Sequence, residues 1–255
     1  MTLSEEQIAK KWAQENDQSP WNLVLNILIN IAIPSQILSK MSSEDRLGPL
    51  LSLVVALCIP LLYFLFDWVK KGKTNLIAAL GFVNTLLTGG LGVLNALQIV
   101  RVEIIWFAVK EAIFPGLIGI AVIASLKTKK PLVHAFLYNE KIIHVEKVKA
   151  ALLEKGTTAR FEALLIQSTF IVAASFFLSS FLNFMLAIIV LKSSPGSAEF
   201  NQELSYMLWL SWPVIVVPSM IVLVGALWRL ITGIKALTGL DFESVMKGAQ
   251  KESST

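Results

Sequence analysis

Six apolar stretches, separated by polar connections, organise this chain of 255 residues. A helix rises 1.5 Å per residue, so about 20 apolar residues cross the roughly 30 Å hydrocarbon core of a bilayer. Residues 18–39, 47–66, 74–100, 104–126, 163–191 and 204–228 each approach or exceed that length. The second is free of charge for 20 residues and the fifth for 29, so the fifth is expected to tilt or to protrude. The pattern predicts an all-α fold, a polytopic transmembrane helical bundle of six spans.

The connections complete the plan. Residues 1–17 read as an amphipathic segment: Ser4 with Gln7 resembles a capping box, and Ile8 and Trp12 stand one turn apart. Glu5, Glu6, Glu15 and Asp17 make this start unlike a cleavable signal peptide, so the first apolar run is expected to remain as an anchor. Residues 18–126 hold the first four spans and residues 163–234 the last two. The polar stretch 127–162 between them carries eight basic and four acidic residues. Within it, 143–155 reads as an amphipathic helix stopped by Gly156, with Thr158 as the cap of the next. The tail, 235–255, has room for one surface turn near 241–246.

The fourth stretch, 104–126, differs from the rest because Lys110 and Glu111 lie inside it. Its charge-free part, 112–126, reaches only about 22 Å as a helix, too short to cross without them. Each charge costs about 2.5 to 3.5 kcal/mol at the bilayer centre, against about 0.3 to 0.6 kcal/mol returned by each Ile, Leu, Phe or Val. Twelve such residues bring the sum near zero, so insertion depends on partners or on neutralisation. Adjacent helical positions point about 100° apart, so each charge is expected to need its own partner.

Charge distribution sets the sidedness. With six spans, the side bearing the termini receives 17 of the 22 Lys and Arg residues, the other side 4, and Lys110 stays within a span. The positive-inside rule then puts both termini in the cytoplasm. If the fourth stretch only re-entered, the basic loop 127–162 would move outside, so that stretch is expected to span.

With these directions, Lys110, Glu111, Asn30, Thr88, Asn183 and Ser211 all fall at mid-depth or in the outer half. Together they form the candidate substrate-binding set, a polar cluster or cleft open to the periplasm. Two readings stand for the charges: they lock helices together, or they serve a solute or proton-coupled site. Asn26 and Asn30 share a helix face, as expected for helix contact or for a solute-lined wall. Two stripes, Gly81–Thr85–Gly89 and Asn84–Thr88–Gly92, suit close approach of another backbone. Pro115, Pro213 and Pro218 supply breaks of the kind a moving helix uses.

Composition narrows the class. At 55% hydrophobic and 16% charged, the chain is too apolar for a soluble domain of its size. Its net charge of +4 lies in loops beside apolar runs, which suits lipid headgroups and not nucleic acid. The single cysteine, Cys58, lies in an apolar run and reads as core filling. His134 and His144 have no ligand cluster around them in sequence, so no metal is expected. GxSxG, HExxH and phosphate-loop patterns are absent; neither catalysis nor a cofactor is expected.

The segments RLGPL (46–50), TLLTGGLGVL (85–94), WFAVKEAIFPGLIGIAV (106–122), LYNEK (137–141), SFLNFMLA (180–187) and SWPVIVVPSM (211–220) together resemble one bacterial family. This is a family of six-span inner-membrane proteins without an established activity, septation-protein-A-like and sometimes labelled as transporters. The resemblance covers nearly the whole chain; it implies the bacterial inner membrane and an envelope or division context, but no ligand residues. Two functions are therefore expected as alternatives. One is a small-solute transporter or channel-like protein with an outward-facing polar site. The other is a non-catalytic envelope or septation-related scaffold. Beside the lipid bilayer, the candidate partners are a second copy of the chain and a cytoplasmic protein on loop 127–162.

Overall fold

The computed structural model describes residues 28–71, 76–128, 131–140 and 142–246. The amphipathic segment expected at 1–17, Asn26 and the tail beyond Met246 lie outside the described residues. Every named element is helical, and the one β pairing among the described residues is an antiparallel bridge between Ile143 and Met246. The chain divides into two compact units, Met1–Glu103 with Leu191–Trp209, and Ile104–Val190 with Leu210–Thr255.

In the first unit a π-helical turn, Leu28–Ala32, leads into α1 (Ile33–Lys40), followed by α2 (Gly48–Lys71) and α3 (Leu76–Ala96). Pro34 removes the amide that would bond the Asn30 carbonyl, which favours the wider turn before it. α2 and α3 pack where glycine allows it: a Cβ on Gly89 would lie 2.6 Å from Leu57 Cδ1, and one on Gly92 2.5 Å from Leu53 Cδ2. This is the close approach that the small-residue stripes predict. α3 ends with Ile99 N–H donating to Leu94 O at 3.0 Å around Gln98, which sits at φ 57. The start of α8 (Ala198–Ser211) joins α1 and α2 through a buried polar seam. Ser35 Oγ meets Ser205 Oγ at 2.7 Å, and Asn201 Nδ2 donates to Ser42 Oγ at 3.0 Å and Pro49 O at 2.8 Å.

Cys58 corrects an expectation. It is exposed on α2 and does not fill the core; an apolar run places a thiol on a helix without saying which face is covered.

The second unit is built on α7 (Thr158–Val190), which packs against α4 (Ile104–Ala124) and α9 (Val217–Thr238). Gly116 and Gly119 of α4 admit Ser180 and Phe177 of α7, and Ser180 Oγ donates to Ala112 O at 2.7 Å. On the other flank Gly233 of α9 admits Leu164, and Arg229 donates to Gln167 Oε1 at 2.6 Å. α4 closes in a 3₁₀ turn, Ser125–Lys127, where Ser125 Oγ donates to Val122 O and accepts Leu132 N–H, which turns the chain back. Loop helices α5 (Val133–Phe136) and α6 (Val145–Glu154) follow, and after α9 comes the short α10 (Phe242–Val245).

The loop helix stops at Gly156, φ 62, as expected. Thr158, expected as the cap of α7, is instead its first helical residue. The Thr157 hydroxyl before it donates to Leu237 O at 3.1 Å and ties α7 to the end of α9. The sixth stretch is also longer than predicted: α8, a π-helical turn at Trp212–Val216 and α9 form one continuous helix, Ala198–Thr238, of 41 residues. Charges such as Glu203, Arg229 and Lys235 limit an apolar run but are compatible with a helix. The stop comes at Gly239, φ 70, whose N–H reaches Lys235 O at 2.7 Å.

Candidate functional site

Lys110 and Glu111 are the seventh and eighth of the 21 residues of α4, and where each charge was expected to need a partner of its own, the two pair with each other. Lys110 Nζ donates to Glu111 Oε1 at 2.5 Å, with the two side chains only 6% and 14% exposed. The 100° between adjacent Cβ directions is spanned because both side chains are long: four methylenes on lysine and two on glutamate curl toward each other. Lys110 is buried and does not snorkel to the surface. On the helical wheel it falls on the far side of α4 from Ala112 and Gly116, the residues that meet α7.

Register within the second unit places three candidates at one height. The Ser180–Ala112 bond and the Gly119–Phe177 approach set α4 antiparallel to α7, so Lys110 is level with about residues 182–186. The Arg229–Gln167 bond and the Gly233–Leu164 approach do the same for α9, so Ser211 is level with about residue 185. Asn183 lies at a similar height, and all three fall within about one helical turn. They do not converge, because α7 stands between α4 and α9 and the Asn183 amide donates to Ser179 O of its own helix at 2.8 Å.

Asn30 and Thr88 belong to the first unit. Asn30 sits inside the π-helical turn, and Thr88, buried, donates to Asn84 O at 3.0 Å. Ser211 immediately precedes the second π-helical turn, where Val217 N–H reaches back five residues to Trp212 O. Both irregular turns therefore adjoin candidate residues, and the nearby prolines at 34, 213 and 218 were their signal in the sequence. Sequence reasoning did not single out Asn201, Ser35, Ser42 or Ser205, the buried polar seam of the first unit.

A groove of about 290 Å³ runs along the flank of α4 and α7, lined by Val109, Ile113, Leu117, Gly116, Ser180 and Phe184 among others. It is apolar, and neither Lys110 nor Glu111 lines it. Among the described residues no group of His, Cys, Asp and Glu has the arrangement to hold a metal.

Four helical segments among the described residues are long and apolar enough to cross a bilayer: Gly48–Val69, Ile104–Lys127, Thr158–Val190 and Ala198–Thr238. Only 17 to 28% of each apolar window is buried within the protein, so the remainder needs an apolar surround. The class is thus a multi-pass helical membrane protein. No family model, curated protein or solved structure matches the chain.

Proposed function

We propose a six-span protein of the bacterial inner membrane, both termini cytoplasmic, that moves a small solute through an outward-facing polar site centred on Lys110 and Glu111. The observation that supports this is the charge pair itself: 6% and 14% exposed within the first half of a helix long and apolar enough to cross a bilayer. Intramembrane charge is costly and is retained where it works on a solute, an ion or a proton. Asn183 and Ser211 at the same height, with a π-helical turn and Pro213 beside Ser211, accord with a site at which a helix changes shape. The 17-to-4 distribution of basic residues supports the orientation, and the septation-protein-A-like motifs support the six spans and the bacterial membrane.

One observation favours the alternative, a non-catalytic envelope scaffold. Lys110 and Glu111 bond each other along one helix, a contact that lowers the cost of inserting both charges. Proteoliposome swelling with neutral, cationic and anionic small solutes separates the readings. The transport reading expects wild type to admit at least one class, and Lys110→Ala and Glu111→Gln to change that rate roughly 10-fold or more while remaining folded. Equal rates in folded variants contradict it, and no flux in wild type with reduced folded yield for Lys110→Ala supports the scaffold.

A further inference from the structure

At the end of the second unit where the basic loop lies, the seam between α7 and α9 carries a guanidinium with no acid to neutralise it. Arg229 is exposed, and its Nη2 donates at 2.6 Å to the neutral Gln167 Oε1 across the seam. Among the described residues no carboxylate pairs with it, and its other N–H groups make no further bond. Glu162, the one acid on α7, lies about 140° around that helix from Gln167, and α9 has none. The exposed side chains change character at this height. Away from the loop Ile166, Phe170 and Ile221 present bare apolar surface, and toward it come Arg160 and Thr232. Trp228, 65% exposed, adjoins Arg229, as indoles do at the level of lipid headgroups. One turn further into the apolar part, on the face of α9 that bears Arg229, Gly225 leaves open space: a Cβ there would meet nothing within 4 Å.

We infer that Arg229, Gln167 and the notch at Gly225 form a binding site for one anionic phospholipid, with the phosphate on the guanidinium and the start of an acyl chain over the glycine. A cation at the edge of the hydrocarbon needs a counter-ion, and a lipid phosphate is the anion that a bilayer brings to that height. The guanidinium fork matches two phosphate oxygens, and Gln167 already fixes where it stands, so little freedom is lost on binding. Arg160, exposed on the same face of α7 as Gln167, adds positive charge toward the headgroup. It favours a head with net negative charge over one that carries its own ammonium. The site requires that α7 and α9 cross the membrane, so it goes beyond the transport reading and stands whatever the polar site carries.

The test titrates the purified full-length chain in non-ionic detergent with dioleoyl phosphatidylglycerol and, separately, dioleoyl phosphatidylcholine, and counts bound lipids by native mass spectrometry. Wild type is expected to hold one phosphatidylglycerol roughly 10-fold more tightly than phosphatidylcholine. Arg229→Gln is expected to abolish that preference, and Lys147→Gln, which removes an exposed charge on α6, to leave it unchanged. Gly225→Leu, which fills the open notch, is expected to weaken phosphatidylglycerol several-fold. An Arg229→Gln chain that melts cooperatively and keeps the wild-type preference overturns the inference. An equal loss with Lys147→Gln overturns it too, because the effect is then one of net charge. So does displacement of the lipid by an equal concentration of inorganic phosphate, the mark of a site for a free anion. If Arg229→Gln does not fold, Gly225→Leu decides, and wild-type affinity in that variant contradicts the site.

Discussion

A lysine ammonium buried alone inside a helical span would cost several kcal/mol, and the Glu111 carboxylate 2.5 Å away offsets much of that. The cost was readable from the sequence; the compensation was not, since a helical wheel tracks Cβ directions and ignores the reach of long side chains. The buried seam of Ser35, Ser42, Asn201 and Ser205 escaped notice for a different reason. Small polar residues near helix ends are common, and only packing tells which become inter-helix hydrogen bonds, worth about 0.6 kcal/mol each in membranes. Gln98 offers a direct stability test. At φ 57 it holds a left-handed conformation that costs a non-glycine residue about 1 kcal/mol. Gln98→Gly is expected to stabilise the protein by about 0.5 to 1 kcal/mol in thermal or denaturant unfolding, the relief of strain outweighing the entropy of glycine; an unchanged or lowered stability would count against the strain.

Among whole elements, the apolar runs at 47–66, 104–126 and 163–191 were legible because length and lack of charge are what a bilayer selects. Their ends were not, since α7 and the Ala198–Thr238 helix continue past charged residues until a glycine or loop stops them. The loop's own fold was legible only in part: an amphipathic helix and the Gly156 stop could be read, but not that the tail completes its core. That loop carries a pH dependence. Burial lowers His134 from its ordinary 6.5, and burial followed by the Glu146 charge pushes Tyr138 from 10.0 up to about 12. His134 packs edge-on against Tyr138, which in turn packs on Phe161 at the start of α7. A depressed histidine contributes stability that is complete above pH 6.5 and lost as pH falls; a raised tyrosine contributes stability that is complete below pH 10 and lost as pH climbs toward 12. After correction for intrinsic exchange rates, amide protection at 131–157 is therefore expected to be highest between those limits, and flat protection from pH 5 to 8 would contradict the histidine contribution.

At the scale of the molecule, two compact units share the sixth apolar helix, the first reaching Trp209 and the second beginning at Leu210. Composition announced the class, because a chain that is 55% hydrophobic has too little polar surface to face water on all sides. The transport reading and the sidedness both require α4 to cross the bilayer with its charge pair inside. Single cysteines at its two ends test that most directly, with Cys58→Ser made first because the native thiol is exposed. In intact spheroplasts a membrane-impermeant maleimide is expected to label Arg101→Cys at once and Lys127→Cys only after permeabilisation, both positions being exposed. Labelling of Lys127→Cys from outside an intact membrane would contradict the orientation and with it the outward-facing site.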